Sequence, residues 1–221
     1  MSSADATSTT PAPAGRVYGG LSAEERLAQR RERLMEVGLE LFASRGFART
    51  GVRELCRAAR IGERAFYEAV GSREALLRDV YLQVTDDVVA DIAQAIAAAP
   101  ADLRGRLHAG LAGFFASITD DPRRGRVIYV ESLGRGPEIE EARREGLGRF
   151  VSLARLAMEA YLPDPAPPTF AVQAAVSAAI IGVGEVAYQL AEGETAFTAA
   201  EAAEHMTTGL AGAALAFGLT P

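Results

Sequence analysis

The stretch that decides the fold runs from residue 46 to residue 77 and reads GFARTGVRELCRAARIGERAFYEAVGSREALL. Apolar residues recur here with helical spacing, which predicts one short helix from near Thr50 and another over Glu63 to Ala69, with a break at residues 60–62. The second helix opens with polar residues, so its N-terminus can enter the major groove of DNA. Two helices joined in this way are typical of a helix-turn-helix motif.

The polar residues of the motif suit contacts with DNA. Arg53 and Arg57 lie four residues apart on one face of the first helix, where they can brace the DNA backbone. They would serve equally well as solubilising surface charges. The second helix would present Glu63, Arg64 and Ala65 to the bases. Arginine can bond bidentately to guanine, and alanine can touch a thymine methyl group.

This stretch resembles the amino-terminal head of the TetR family of bacterial regulators. The family pattern is a Gly-aromatic pair and a Thr, an apolar-patterned helix, and then Gly-Val-Ser-x-Gly-Thr-Leu-Tyr-x-Tyr-Phe-x-Ser-Lys-Glu-x-Leu. The resemblance spans Arg30 to Tyr81 with the family's spacing. Identities fall at Gly46, Phe47, Thr50, Val52, Leu55, Ala58, Tyr67, Ser72, Glu74 and Leu76, with conservative matches at Ile61, Phe66 and Arg73.

The resemblance implies an all-α fold. An N-terminal helix-turn-helix head of three helices, which binds DNA, would be joined by a long helix to a larger helical body for ligand binding and dimerisation, with about nine helices in total. The implied segments are a disordered tail at 1–20, a DNA-binding domain at 21–71 and the body at 72–221. The first 20 residues are rich in Ser, Thr, Ala, Pro and Gly and lack the features of a signal peptide.

Several positions depart from the family pattern. Arg60 stands where the family usually has the turn glycine, so the turn must accommodate a side chain there. Gly62 replaces the usual Ser or Thr helix cap, and Ala65 replaces a usual Thr. Ala69 and Val70 replace aromatic residues. The operator sequences of the family therefore cannot be transferred to this chain.

By the same resemblance, Thr50, Tyr67 and Arg73 would contact phosphates. Arg73 begins a helix, whose free N–H groups also favour an anion. The alternatives are that Tyr67 is a core aromatic with its hydroxyl in water and that Arg73 is a solvated helix-start residue. The full set expected at DNA is Arg49, Thr50, Gly51, Arg53, Gly62, Glu63, Arg64, Ala65, Phe66, Tyr67 and Arg73.

Charge is distributed unevenly along the chain. The net charge is −6, yet the stretch from Arg26 to Arg73 contains 11 Arg and 6 Glu and so carries +5, which leaves −11 for the rest. This asymmetry is typical of a DNA-reading head on an acidic body, although a solvated surface of mixed sign would show it as well.

The remaining sequence is helical in its spacing, and no run alternates long enough to predict a strand. Ser22 to Glu25 forms a capping box that begins a first helix ending at Gly46, and a long helix runs from Ser72 to before Pro100. The body helices are predicted at roughly 102–119, 122–133, 138–161, 168–191 and 198–217.

The last two predicted helices carry faces of small residues that let helices approach closely, with the key positions at Ala174, Ala178, Gly182, Gly209, Ala213 and Ala216. In the TetR family the last two helices of each subunit form a four-helix dimer interface, which implies a homodimer. The alternative is that both helices are buried in the core of a monomer. The apolar run from Phe170 to Gly184 is short for a membrane span and typical of a buried helix, so no membrane partner is expected.

The family also implies a cavity for an effector, here an unknown small apolar molecule. Pockets are mainly apolar with a few polar groups that orient the ligand. His108 and Glu185 could be such groups, and a structural role is the alternative for both. The candidate lining residues are His108, Leu111, Phe114, Phe115, Tyr129, Glu131, Tyr161, Glu185, Tyr188 and Gln189.

Other classes of function find little support in the sequence. Cys56 is the only cysteine, which fits a reducing cytoplasm, and the two histidines lie far from it, so no metal or cofactor is expected. The pattern Gly-Val-Gly-Glu-Val-Ala at 182–187 loosely matches a dinucleotide-binding loop, with Glu204 beyond it, but its flanks read as helix without a preceding strand. We therefore expect no enzyme, but a cytoplasmic repressor that binds a palindromic operator in double-stranded DNA as a dimer and is released by its effector. An orphan regulator without a ligand and an activator are the alternatives.

Overall fold

The computed structural model describes residues 22–164, 169–193, 195–216 and 218–219, so the predicted tail at 1–20 lies outside the described residues. Within these ranges the fold contains nine α-helices and no strand, as the sequence predicted. The helices are α1 Ala23–Arg45, α2 Val52–Ala59, α3 Glu63–Val70, α4 Arg73–Ala98, α5 Leu103–Asp120, α6 Pro122–Arg126, α7 Pro137–Met158, α8 Thr169–Glu192 and α9 Ala199–Ala216. Short 3₁₀ turns at Phe47–Arg49 and Glu159–Tyr161 and a π-helical turn at Val127–Glu131, called the π segment below, complete it.

Local hydrogen bonds explain where the first helix begins and ends. The Ser22 hydroxyl accepts from the Glu25 N–H at 3.1 Å, and the Glu25 carboxylate accepts from the Ser22 N–H at 2.6 Å. The hydrogen bond from the Ser22 N–H to the carboxylate is the main cause that holds the pKa of Glu25 below its ordinary value. At the other end Gly46 has a φ of 86°, a conformation that glycine adopts at little cost. The predicted limits of this helix are confirmed.

The helix predicted over 122–133 takes a different form. It begins as α6 and then widens into the π segment, where the Ser132 N–H donates to the Val127 carbonyl five residues earlier at 3.2 Å. A π turn contains an extra residue, so the side chains on it no longer follow the helical face that the sequence pattern predicts. This change of register decides where Tyr129 and Glu131 lie.

A continuous apolar core joins the N-terminal helices to the body. Helix α4 contributes buried side chains along most of its length, from Leu76 near its start to Ile92 in its later turns. Helix α1 packs against α2, α3, α4 and α6, while α4 also packs against α5 and α7. Gly38 permits close approach of α1 to α4, because a Cβ atom there would lie 3.1 Å from a methyl group of Val80. The head is therefore mechanically coupled to the body, and the division at residue 71 stays a prediction.

Helix α8 is far more exposed than a core helix. The sequence favoured a buried helix, but only Val176 and Ala187 are buried among its described side chains. By length and composition alone α8 could span a membrane, and 17% of its most apolar window is buried. Its exposed residues include Phe170 and Ile181, at 76% and 62%. The expectation of a buried helix is thus wrong for the single chain, since one side of α8 lacks a neighbour among the described residues.

Candidate nucleic-acid interface and ligand cavity

The turn between α2 and α3 places the second helix of the motif. Arg60 caps α2 in the left-handed region at φ 55°, the only non-glycine residue with positive φ in the described ranges. Gly62 caps α3 without a side-chain hydrogen bond. Phe66 is completely buried and anchors α3 to the core. The turn accommodates the arginine side chain, as predicted from the sequence, in a backbone conformation that is unfavourable for a residue with a Cβ atom.

Most of the residues expected at DNA lie on the outside of this motif. The exposed ones are Arg49, Gly51, Arg53, Gly62, Glu63, Arg64 and Tyr67, and Ala65 is half-buried. The side chains of Arg53 and Arg64 are each 93% exposed. Arg53 links the two helices through Glu63 at 3.3 Å, and Arg64 pairs with Glu68 one turn along α3 at 2.8 Å. Exposed ion pairs of this kind are weak, so both arginines can turn to another anion.

Three residues of the predicted set face inward instead. Phe66 belongs to the core, and Thr50 is also fully buried. The Thr50 hydroxyl donates to the Gly46 carbonyl at 2.9 Å and lies 3.3 Å from the Leu41 carbonyl, so it is engaged within the chain. The phosphate contact expected for Thr50 through its hydroxyl is corrected on this ground, and Phe66 is corrected to a packing residue.

The expected phosphate contact of Arg73 is also corrected, because its guanidinium binds groups of the head. It donates to the Thr50 carbonyl at 3.1 Å and to the Phe47 carbonyl at 3.5 Å, and it pairs with Glu74. The same group stacks over the Phe47 ring at 4.2 Å from the centroid. These contacts fix the start of α4 against the turn that precedes α2, so Arg73 is a positioning residue rather than a free phosphate ligand.

The body contains a cavity of about 210 Å³ between α4, α5, α7, α8 and α9. The residues that line it are aliphatic and aromatic apart from Arg106, and Tyr129 is the one tyrosine among them. The lining residues are Ile92, Ile96, Leu103, Arg106, Leu107, Gly110, Leu111, Phe114, Tyr129, Phe150, Leu153, Ala154, Ala157, Met158, Val172, Ala175, Val176, Ala179, Ile180, Val183, Leu210, Ala213, Ala214 and Leu219. A cavity with this lining suits an apolar molecule.

Three of the predicted pocket residues, Leu111, Phe114 and Tyr129, line this cavity. Tyr129 packs edge-on to Phe114 with ring centroids 6.3 Å apart. Burial raises the pKa of Tyr129 well above its ordinary value, so the hydroxyl stays protonated and can donate a hydrogen bond. Tyr129 is the neutral polar residue among those that line the cavity.

The other predicted pocket residues lie elsewhere, which corrects those assignments. They are His108, Phe115, Glu131, Tyr161, Glu185, Tyr188 and Gln189. His108 lies beside Thr207 and Glu204 of α9, at 3.4 and 3.5 Å. Gln189 donates to Glu185 on the exposed side of α8. Helical spacing indicates which residues face the interior but not which of them border an empty volume.

Glu131, predicted from the sequence to line the pocket, instead connects the body to the head. It is 4% exposed, and its carboxylate accepts from the Phe47 N–H at 2.8 Å. The same carboxylate accepts from Arg126 at 3.0 Å and lies 3.5 Å from Arg135. Arg135 also lies over the Phe47 ring, at 5.6 Å. The π segment thus carries Tyr129 into the cavity and Glu131 onto the head, two residues apart.

The family model "Bacterial regulatory proteins, tetR family" matches residues 34–80, the region that contains the helix-turn-helix and the start of α4. Residues 34–80 of this chain thus match the TetR family, which confirms the predicted family resemblance. The predicted all-α fold class is confirmed as well.

Individual proteins similar to this chain agree with that match. The transcriptional activator FasR of Mycolicibacterium smegmatis is 28% identical over 111 residues, which is 50% of either chain, so the match spans about half of that relative. Solved structures share the fold: regulator FadR of Bacillus subtilis, in complex with stearoyl-CoA, has a TM-score of 0.69 at 11% identity, covering 80% of this chain and 95% of the other. The structure of a regulator from Pseudomonas aeruginosa has a TM-score of 0.66 at 22% sequence identity. The match covers 87% of this chain and 98% of the other.

These relatives are regulators, not enzymes. The glycine pattern at 182–187, which loosely matches a dinucleotide-binding loop, does not form such a loop in the structure. That pattern lies inside the uninterrupted helix α8, so it forms no loop that could cradle phosphates. In the described part of the chain, no group of His, Cys, Asp and Glu is placed to hold a metal ion.

Proposed function

We propose that this regulator is a cytoplasmic repressor that binds a palindromic operator as a homodimer and is released when a small apolar effector enters the body. The observation that carries the proposal is the apolar cavity whose wall includes Tyr129, on the same short segment that holds the head through Glu131. The domain division at residue 71 belongs to this proposal, with residues 72–221 binding the effector and forming the dimer.

The DNA-binding surface in this proposal is the exposed side of α2 and α3. Arg64 lies in the first turn of α3, the part of a recognition helix that reaches base edges. Its only partner among the described residues is Glu68 on the same helix. An exposed guanidinium with a weak intrahelical partner is free to bond bidentately to guanine.

The dimer interface in this proposal is the outer face of α8 and α9. All the small residues predicted for it are exposed in the single chain: Ala174, Ala178, Gly182, Gly209, Ala213 and Ala216. A Cβ atom at Gly182 or Gly209 would meet nothing within 4 Å. The same helices expose Ile181 and Leu215 at 62% and 57%. An apolar face of this kind marks an interaction site, and a two-fold partner would supply the second head that a palindrome requires.

Light scattering after size exclusion tests the dimer. The wild type should run as a dimer at micromolar concentration, and Gly182→Phe should shift it to monomer because the ring overpacks a close helix contact. Gly148→Phe is the matched control, since Gly148 is an exposed glycine of α7 with open space around it. A monomeric wild type, or equal behaviour of both variants, would reject this interface.

The proposed binding site of the effector is the cavity of the body. FadR of Bacillus subtilis was solved with stearoyl-CoA, whose long acyl chain is an apolar ligand of the kind this cavity suits. A ligand against Ile92 and Ile96 would change the packing of α4, whose first residue is Arg73. A ligand against Tyr129 would move the π segment and with it Glu131. Both routes end at the head and would alter the separation of the two recognition helices, which must be about 34–36 Å.

The relative FasR supports a second candidate, an activator, because that protein is a transcriptional activator. Calorimetry with an operator selected from random DNA tests the switch common to both. Linkage requires operator to change effector affinity by the factor with which effector changes operator affinity. Lower affinity in the presence of operator fits a repressor, and higher affinity fits an activator whose ligand favours binding. Equal affinity with and without operator would reject ligand control and leave an orphan regulator.

A further inference from the structure

Arg106 is the one charged side chain on the wall of the cavity formed by the described residues. Its Nε atom is buried and has no hydrogen-bond partner there, and no carboxylate of the described chain lies within ion-pair distance of it. The aromatic face of Tyr161, 5.7 Å from the guanidinium carbon, is its one described electrostatic contact. The residue as a whole is half-buried, and a buried donor without an acceptor is unfavourable because it loses hydration without gaining a hydrogen bond.

Other half-buried arginines of the body form ion pairs with carboxylates. Arg124 pairs with Asp91 at 2.7 Å, Arg126 with Glu131 at 3.0 Å, and Arg149 with Glu145 at 2.6 Å. Arg104, two residues before Arg106 on α5, pairs with Glu204 at 2.7 Å on the outside of the body. Among the described half-buried arginines of the body, the one without an ion-pair partner is thus Arg106, which borders the cavity.

The cavity is polarised along α5. Arg106 lies in the first turn of α5, at an end closed by Leu103 and Leu219. Phe114 lies eight residues farther along the same helix, about 12 Å away by helical rise, and contacts Tyr129 at the inner end. The wall between these ends is apolar. A single molecule that satisfies both ends has an anionic group at one end and a hydrocarbon chain behind it.

We propose that the cavity binds an anionic amphiphile, an aliphatic chain that carries a carboxylate or phosphate group. Its anionic group accepts hydrogen bonds from the Arg106 guanidinium, and its chain extends past Phe114 toward Tyr129. This inference rests on the proposed effector site and narrows the class of ligand, since an apolar cavity by itself would take neutral and charged chains alike.

Calorimetric titration with three ligands of equal chain length tests the inference: dodecanoate, dodecyl phosphate and 1-dodecanol, each below its critical micelle concentration. The wild type should bind an anionic ligand more tightly than the alcohol. Arg106→Met should weaken that anion about ten- to a hundredfold, the usual range for a hydrogen bond to a charged group, and leave 1-dodecanol unchanged. Arg106→Lys should retain part of the preference, and Arg104→Met, the matched control, should bind like the wild type.

The outcomes separate this inference from the proposed function. If dodecanoate and 1-dodecanol bind equally and Arg106→Met changes neither, the anion preference is overturned while the apolar effector site stands. If none of the ligands binds the wild type, both are overturned. A loss with dodecyl phosphate but not with dodecanoate identifies phosphate as the recognised group, and the reverse identifies carboxylate; both results support the role of Arg106.

Discussion

Replacing Glu131 should weaken the connection between body and head by an amount that depends on the replacement. The carboxylate accepts from a backbone N–H of the head and pairs with two arginines, while only 4% of the residue is exposed. Glu131→Gln keeps the shape but loses the charge. Removing one partner of a buried pair costs about 3–5 kcal/mol. Arg126 and Arg135 are 35% and 29% exposed and Arg126 retains Glu192, so solvent screening reduces the expected loss to about 1–2 kcal/mol.

Glu131→Ala should cost more. It also leaves the buried N–H of Phe47 without an acceptor, which adds about 1–3 kcal/mol. The unfolding free energy should therefore be highest for the wild type, lower for Glu131→Gln and lowest for Glu131→Ala. The alanine variant should lie about 2–5 kcal/mol below the wild type.

Urea unfolding followed by circular dichroism at one protein concentration measures these differences, since the stability of a dimer depends on concentration. Glu138→Gln is the control, because Glu138 forms a long-range but exposed pair with Arg78 at 2.7 Å. The control should lose less than about 1 kcal/mol. A Glu131→Ala protein as stable as the Glu138→Gln protein would refute the reasoning that Glu131 anchors the head.

Further predictions concern the turn, a carboxylate of the body and the DNA-binding arginines. Arg60→Gly should raise the unfolding free energy by about 1 kcal/mol in urea, because glycine adopts positive φ without strain; an unchanged or lower value contradicts this. Hydrogen bonds from Ser117, chiefly, lower the pKa of Asp91. The ionised Asp91 carboxylate stabilises the folded protein above its ordinary pKa of about 3.9, and this stability is lost as pH falls through the lower pKa of the folded state. The amount by which Asp91→Asn lowers the unfolding free energy should therefore shrink below about pH 4. A deficit that does not change with pH would exclude the charge as its cause. Arg64→Ala should cost about 1–3 kcal/mol per half-site on specific DNA and little on random DNA, which a binding titration compares. Arg73→Ala should instead lower the melting temperature of the free protein; a normal melting temperature would show that Arg73 does not brace the head.

The helices and their order could be predicted from the sequence. Apolar spacing, the Ser22 capping box and the glycine at position 46 are local signals, and the helix ends in the structure follow them closely. The helix-turn-helix was equally predictable, because its two helices and its turn are set within about 30 consecutive residues. Arg60 was recognised as an unusual turn residue for the same reason, since a turn depends on its own few residues.

Which polar side chains are free and which are engaged depends on how the helices pack against one another. Arg73 and Thr50 resemble phosphate ligands in the linear pattern, but carbonyl groups of the folded head accept their hydrogen bonds. Glu131 reaches a backbone N–H that lies 84 positions earlier in the chain, and it does so from a π turn that helical spacing does not predict. Arg106 was not singled out in the sequence, because its distinction is the absence of a partner across several packed helices. Contacts between residues far apart in sequence depend on how whole helices pack, and a pattern of neighbouring residues does not contain that information.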